Sequence, residues 1–151
     1  MENMNEEKRQ HLEFIQNVIT RMNANSFKIK GMTITIVSAL IAIYAASQNV
    51  IFIFLGMFPT LLFWFLDSYY LQQERKFRGV YNDVAEIKKI IKVNLYEMPI
   101  HKYTKNIDKQ FCYWRVFISK TVFPLYFFII VFLLLFGVII EYKDCMLFGG
   151  N

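Results

Sequence analysis

Between Gly31 and Leu66 the chain carries no Asp, Glu, Lys, Arg or His, an uncharged run of 36 residues. One helix needs roughly 20 apolar residues to cross a hydrocarbon core of about 30 Å. The run is too long for one crossing and suits two joined by a tight turn. Ser47-Gln48-Asn49 is the polar triplet that can make that turn, which gives a hairpin with spans at about 31–46 and 50–70. A second uncharged run, Thr121–Ile140, is 20 residues long, with Pro124 in its first turn, where a missing N–H costs least. Composition agrees: 56% of the residues are hydrophobic, against about 45–50% apolar in soluble domains. Such a chain is neither disordered nor a soluble domain. The expectation is an all-α integral membrane protein with three transmembrane helices and long amphipathic cytoplasmic helices, assembled as a homo-oligomeric bundle.

Orientation follows from Lys and Arg. Residues 1–30 hold Lys8, Arg9, Arg21, Lys28 and Lys30, the segment 71–120 holds eleven basic residues, the 47–49 turn none, and the tail only Lys143. Sixteen basic residues against one place the N-terminus and the long loop in the cytoplasm and the C-terminus outside it. A cleaved signal peptide ending at Ala45-Ala46-Ser47 is the rival reading of the first run. The thirty residues before it are too long and too mixed in charge for that.

The domain plan is then a cytoplasmic amphipathic helix over 1–26, a transmembrane hairpin over 27–70, a cytoplasmic helix and loop over 71–120, a third span over 121–140 and an extracytoplasmic tail over 141–151. Leu12, Ile15, Ile19 and Met22 form one helical stripe, and Asn23–Ser26 is expected to break it. Phe77, Val80, Tyr81, Val84, Ile87 and Ile91 form another. With no Gly or Pro between Leu66 and Arg78, span two is expected to run on as one helix to about Leu95. Its stripe then needs cover from the N-terminal helix, a neighbouring subunit, or both. Pro99 closes it, a loop follows to about Asn106, and Asp108–Lys120 reads as an amphipathic lead-in to span three.

Four residues are candidates for a pore or gate. Asp67 falls at the hydrocarbon edge, where a carboxylate is costly; it either joins a ring of acids around a pore or reaches the interface near Arg75. Thr35 and Ser38 begin a stripe of small residues that continues at Ala42 and Ala46. Such a stripe packs helices closely or lines a pore, and packing is the commoner use. Pro59 removes a backbone hydrogen bond in mid-span and is expected to kink it. A basic cluster, Arg75, Lys76, Arg78, Lys88, Lys89 and Lys92, faces either anionic lipid or an anionic cytoplasmic ligand.

Enzyme classes find no support. His11 and His101 lack partners at metal-ligand spacing, and the nucleophile-elbow, phosphate-loop and zinc-protease motifs do not occur. Cys112 and Cys145 fall on opposite sides of the membrane in this topology. No catalytic residue, metal or cofactor is expected.

Two stretches, LEFIQNVITRMNANSFKIK from Leu12 and FWFLDSYYLQQERKFRGVYNDV from Phe63, together with the YWRVFISKT entry to span three, resemble a known group. They are similar to small bacterial transmembrane effectors found beside nucleotidyltransferase-like proteins in antiphage defence. These include the SLATT-type hairpin proteins and, more closely, the channel subunit of Hailong-type systems. A third span departs from the two-span SLATT plan. The resemblance implies an oligomeric inner-membrane channel, most simply a homotetramer, gated by a nucleotide or DNA product of the partner protein. The alternative that the residues leave open is a non-conducting scaffold that recruits a soluble partner.

Overall fold

A computed structural model describes residues 2–148, so the last three residues of the expected 141–151 tail lie outside the described residues. The described chain is helical and contains no strand. Its helices are α1 (Glu2–Ser47), α2 (Ile51–Leu55), α3 (Met57–Val84), α4 (Tyr113–Phe117) and α5 (Phe123–Phe148), with 3-10 turns at Ile100–Lys102 and Lys109–Phe111. Three helical stretches among the described residues, Asn5–Ser47, Ile51–Val84 and Phe123–Lys143, are long and apolar enough to cross a membrane. The chain divides into two compact units. A polar unit takes the chain up to Phe27 and Asp67–Ile118; an apolar unit takes Lys28–Leu66 and the chain from Ser119 on.

In the apolar unit, Val37, Ile53 and Leu133 form a buried centre, with Ile41, Tyr44, Met57, Ile129 and Phe136 around it. Gly137 lets α5 meet the Phe54 ring: a Cβ there would lie 2.8 Å from Phe54 Cζ. Trp64 stacks on Tyr126, with centroids 6.0 Å apart and planes within 5°, and meets Phe123 edge-on. Two buried threonine hydroxyls in this unit are satisfied by their own helices. Thr33 donates to the Ile29 carbonyl at 2.9 Å and Thr60 to that of Gly56 at 2.8 Å, which is how a polar side chain is tolerated where water is absent. The break between α2 and α3 falls at Gly56 rather than at Pro59 itself. Pro59 has no N–H to offer the Leu55 carbonyl four residues back, so the ladder opens one turn before the proline. Most of the apolar surface is left uncovered, with Phe58 at 70%, Phe128 at 68% and Leu135 at 59% exposure.

The polar unit has its own core of Ile15, Ile19, Val80, Val84, Tyr103 and Phe111, joined by Leu12, Phe77 and Tyr81. Gly79 sits directly beneath Tyr103, whose Cδ1 would lie 2.7 Å from an added Cβ.

Three sequence expectations are corrected here. α1 does not break at Asn23–Ser26 but runs through it; residues of middling helix propensity do not stop a long helix, and the Ser26 hydroxyl is used elsewhere. α3 ends at Val84 rather than near Leu95, because the chain folds back on itself at that point. The cover for the stripe is therefore supplied within the chain, by α1 and by Ile91, Val93, Met98 and Ile100 of the returning segment, while Ile87 is 67% exposed. The Asp108–Lys120 lead-in is not one helix either. Asp108 caps a 3-10 turn by accepting the Gln110 N–H at 2.9 Å, and α4 follows as a separate five-residue helix.

Candidate functional site

The fold-back that ends α3 is organised by Asp83. This carboxylate is 7% exposed and accepts the backbone N–H of Ile90 on Oδ1 at 2.9 Å and that of Ile91 on Oδ2 at 3.0 Å. The Tyr103 hydroxyl donates to Oδ2 as well, at 2.7 Å. An acid in the last turn of a helix opposes the helix dipole; here it is held by donors that lie beyond the helix. Burial, then the hydrogen bond to Asp83, pushes the Tyr103 hydroxyl above the usual tyrosine range.

The tightness of the turn shows in its backbone. Glu86, Lys89 and Tyr96 have φ of 62°, 52° and 61°, the left-handed region that side-chain-bearing residues seldom adopt. Glu86 is clamped by two lysines: Lys8 Nζ lies 2.6 Å from Oε1 and Lys89 Nζ 2.8 Å from Oε2. The two ammonium groups, Lys8 first, hold the Glu86 carboxyl down at about 2. Glu97 is also lowered, chiefly by the Asn94 backbone N–H.

Between this turn and the start of α1 lies a cavity of about 720 Å³, whose wall includes Lys8, His11, Glu86, Lys89 and Lys92. Val84, Ile91 and Val93 give it an apolar side. His11 is 1% exposed. Its Nδ1 accepts the Tyr96 N–H at 3.3 Å, and its Nε2 is buried without a hydrogen-bond partner among the described residues.

The expected ligand residues divide. Lys89 and Lys92 line this cavity and Lys88 does not. Arg78 pairs with Glu74 at 2.8 Å on α3, and Arg75 and Lys76 lie half-buried on the same helix, away from the cavity wall. Of the pore candidates, Thr35 and Ser38 are exposed in the apolar unit, and the Thr35 hydroxyl donates to the Gly31 carbonyl at 3.0 Å. Pro59 is half-buried. Asp67, in the polar unit, is 0% exposed and accepts the Ser26 hydroxyl at 2.5 Å. Among the described residues no three His, Cys, Asp or Glu side chains converge to hold a metal.

Sequence reasoning passed over Lys8, His11, Asp83 and Glu86. The one signal available was Asp83 itself, an acid at a poor position in a helix and a favoured residue in a turn. Compared with known proteins, the chain matches no family model, no curated protein and no solved structure.

Proposed function

We propose that this chain is the subunit of a homo-oligomeric ion channel of the bacterial inner membrane, acting as an antiphage effector. A nucleotide-derived or nucleic-acid ligand from a nucleotidyltransferase-like partner gates it. The observation that carries the reading is the apolar unit's uncovered surface. Its helices are long enough to span a bilayer, yet large side chains such as Phe58, Phe128 and Leu135 find no cover within the chain. Lipid and further copies of the chain are the surroundings that can cover them. Thr35 and Ser38 offer such copies a hydroxyl-bearing stripe that can face water or ions. The excess of Lys and Arg in residues 1–30 and 71–120 supports a cytoplasmic polar unit, an N-terminus inside and a C-terminus outside.

A scaffold that recruits a soluble protein is the second reading. It is favoured by the exposed ring pair Phe14 and Tyr96 in the polar unit, at 45% and 47% exposure with centroids 6.2 Å apart. Planar-bilayer recording of the purified protein separates the two. Discrete currents that change when oligonucleotides are added on the cytoplasmic side are expected from the channel. A monomer in detergent at micromolar concentration, with silent bilayers, leaves the scaffold.

A further inference from the structure

The Glu86 carboxylate occupies an anion site built from the chain's own lysines. Lys8 comes from the first turns of α1 and Lys89 from the fold-back, and each takes a different oxygen of the same carboxylate, at 2.6 and 2.8 Å. Such charge-assisted contacts are what a bound anion would receive. The residue making them sits at φ 62° and Lys89 at φ 52°, so the internal pair is held in a costly backbone conformation.

Two further cations or donors share the cavity and are not used by Glu86. Lys92 lines it and makes no ion pair among the described residues. His11 is fixed in one tautomer: because Nδ1 accepts the Tyr96 N–H, the proton of the neutral ring is on Nε2, which has no acceptor. Glu86 pairs with two of the three lysines in this wall and leaves Lys92 without an ion pair among the described residues. The three lysines and His11 suit a phosphate, which carries three terminal oxygens and a charge near −2 at neutral pH. The acids in the same wall set the terms. Asp83 is committed to two backbone N–H groups and Tyr103, whereas Glu86 and Glu7 repel an incoming anion. The apolar side, Val84, Ile91 and Val93, asks for a ligand with a body as well as a head.

We propose that this cavity binds a phosphate monoester with an apolar or planar body, whose dianionic head displaces the Glu86 carboxylate from Lys8 and Lys89. The site deepens the ligand-gated reading and rests on it for its purpose, but its test is binding and not current. A soluble ester and an anionic lipid head carry the same group.

Titration calorimetry of the full chain in detergent with phenyl phosphate reads the site directly. Wild type should bind it more tightly than inorganic phosphate, with affinity falling as salt rises. Lys8→Gln and Lys92→Gln should each weaken binding about tenfold, the loss of one charged hydrogen bond. Glu86→Gln should do the opposite and tighten binding about tenfold, since it removes the competing anion. A purely structural Glu86 predicts weaker or unchanged binding in Glu86→Gln, and either result overturns the proposal. So does an absence of phenyl phosphate binding to both wild type and Glu86→Gln. In phosphatidylcholine nanodiscs, loss of phenyl phosphate binding on adding phosphatidic acid assigns the site to lipid; retained binding assigns it to a soluble ester. Currents without binding would sink this site alone, and binding without currents would sink the channel alone.

Discussion

The Tyr103 hydroxyl donates to Asp83 Oδ2 across 2.7 Å, and the same oxygen accepts the N–H of Ile91 at 3.0 Å. One buried oxygen therefore ties the loop after Pro99 to the end of α3 and to the returning segment. Removing either partner leaves the other buried and under-satisfied, which costs more than a surface hydrogen bond. Tyr103→Phe should lower stability by about 1–2 kcal/mol and Asp83→Ala by on the order of 3 kcal/mol. Hydrogen exchange separates this from a general loss of packing: the Ile90 and Ile91 amides should lose protection in Asp83→Ala before the α1 amides do.

Glu86 and Tyr103 give the polar unit opposite pH limits. The Glu86 carboxyl is held down at about 2 by Lys8 and Lys89, so it is more acidic folded than unfolded. Its contribution is present above the ordinary carboxyl range near 4.5 and is lost as pH falls toward about 2. Being exposed, the cluster should also weaken with salt. Tyr103 is shifted the other way, upward by burial first; its contribution is complete below about pH 10 and is lost as pH rises further. Denaturation of wild type beside Glu86→Gln checks the acid limb, where the difference between the two should vanish at low pH. Tyr103→Phe checks the alkaline limb, which it should remove.

Gly79→Ala tests whether space or helix propensity decides that position. In an open helix the change would gain roughly 1 kcal/mol. Here the new Cβ would lie 2.7 and 2.8 Å from two Tyr103 ring carbons and 3.1 Å from Phe111 Cζ. The ring is buried and hydrogen-bonded to Asp83, so it cannot swing away cheaply. Overpacking of this kind costs about 1–3 kcal/mol, and a net loss is expected. A thermal midpoint equal to or above wild type would show that Tyr103 yields.

The three long apolar helices were legible because nothing competes with an uncharged run: its length, the 47–49 turn and Pro124 each constrain the backbone locally. The end of α3 was not. Ala85-Glu86-Ile87-Lys88-Lys89 is a run of good or fair helix formers, and the stripe through Ile87 and Ile91 kept its period. What stops the helix is tertiary, a carboxylate at Asp83 that gains donors from Ile90, Ile91 and Tyr103 only if the chain turns back. Tyr103 lies 20 residues along the chain from Asp83, beyond any periodicity window. The cavity was hidden for the same reason, since Lys8 and Glu86 are 78 residues apart. The Lys89 and Lys92 pair was visible only as charge.

Asp67 and Ser38 should part company in a bilayer recording. Asp67 is already 0% exposed within a single chain, and association of further copies can only remove more surface. In this conformation its carboxylate cannot meet a permeating ion. Asp67→Asn keeps an oxygen for the Ser26 hydroxyl and removes the charge, so single-channel current and selectivity should be unchanged while the thermal midpoint falls. Ser38 is exposed, so Ser38→Leu disturbs nothing inside the chain and should leave its stability within about 0.5 kcal/mol of wild type. If the Thr35 and Ser38 stripe faces the pore of the proposed channel, the added isobutyl group should narrow and dry it, and unitary conductance should fall several-fold. Normal current from Ser38→Leu with a reduced current from Asp67→Asn would reverse the assignment: the stripe would face lipid, and the polar unit would have to open in the conducting state to expose Asp67.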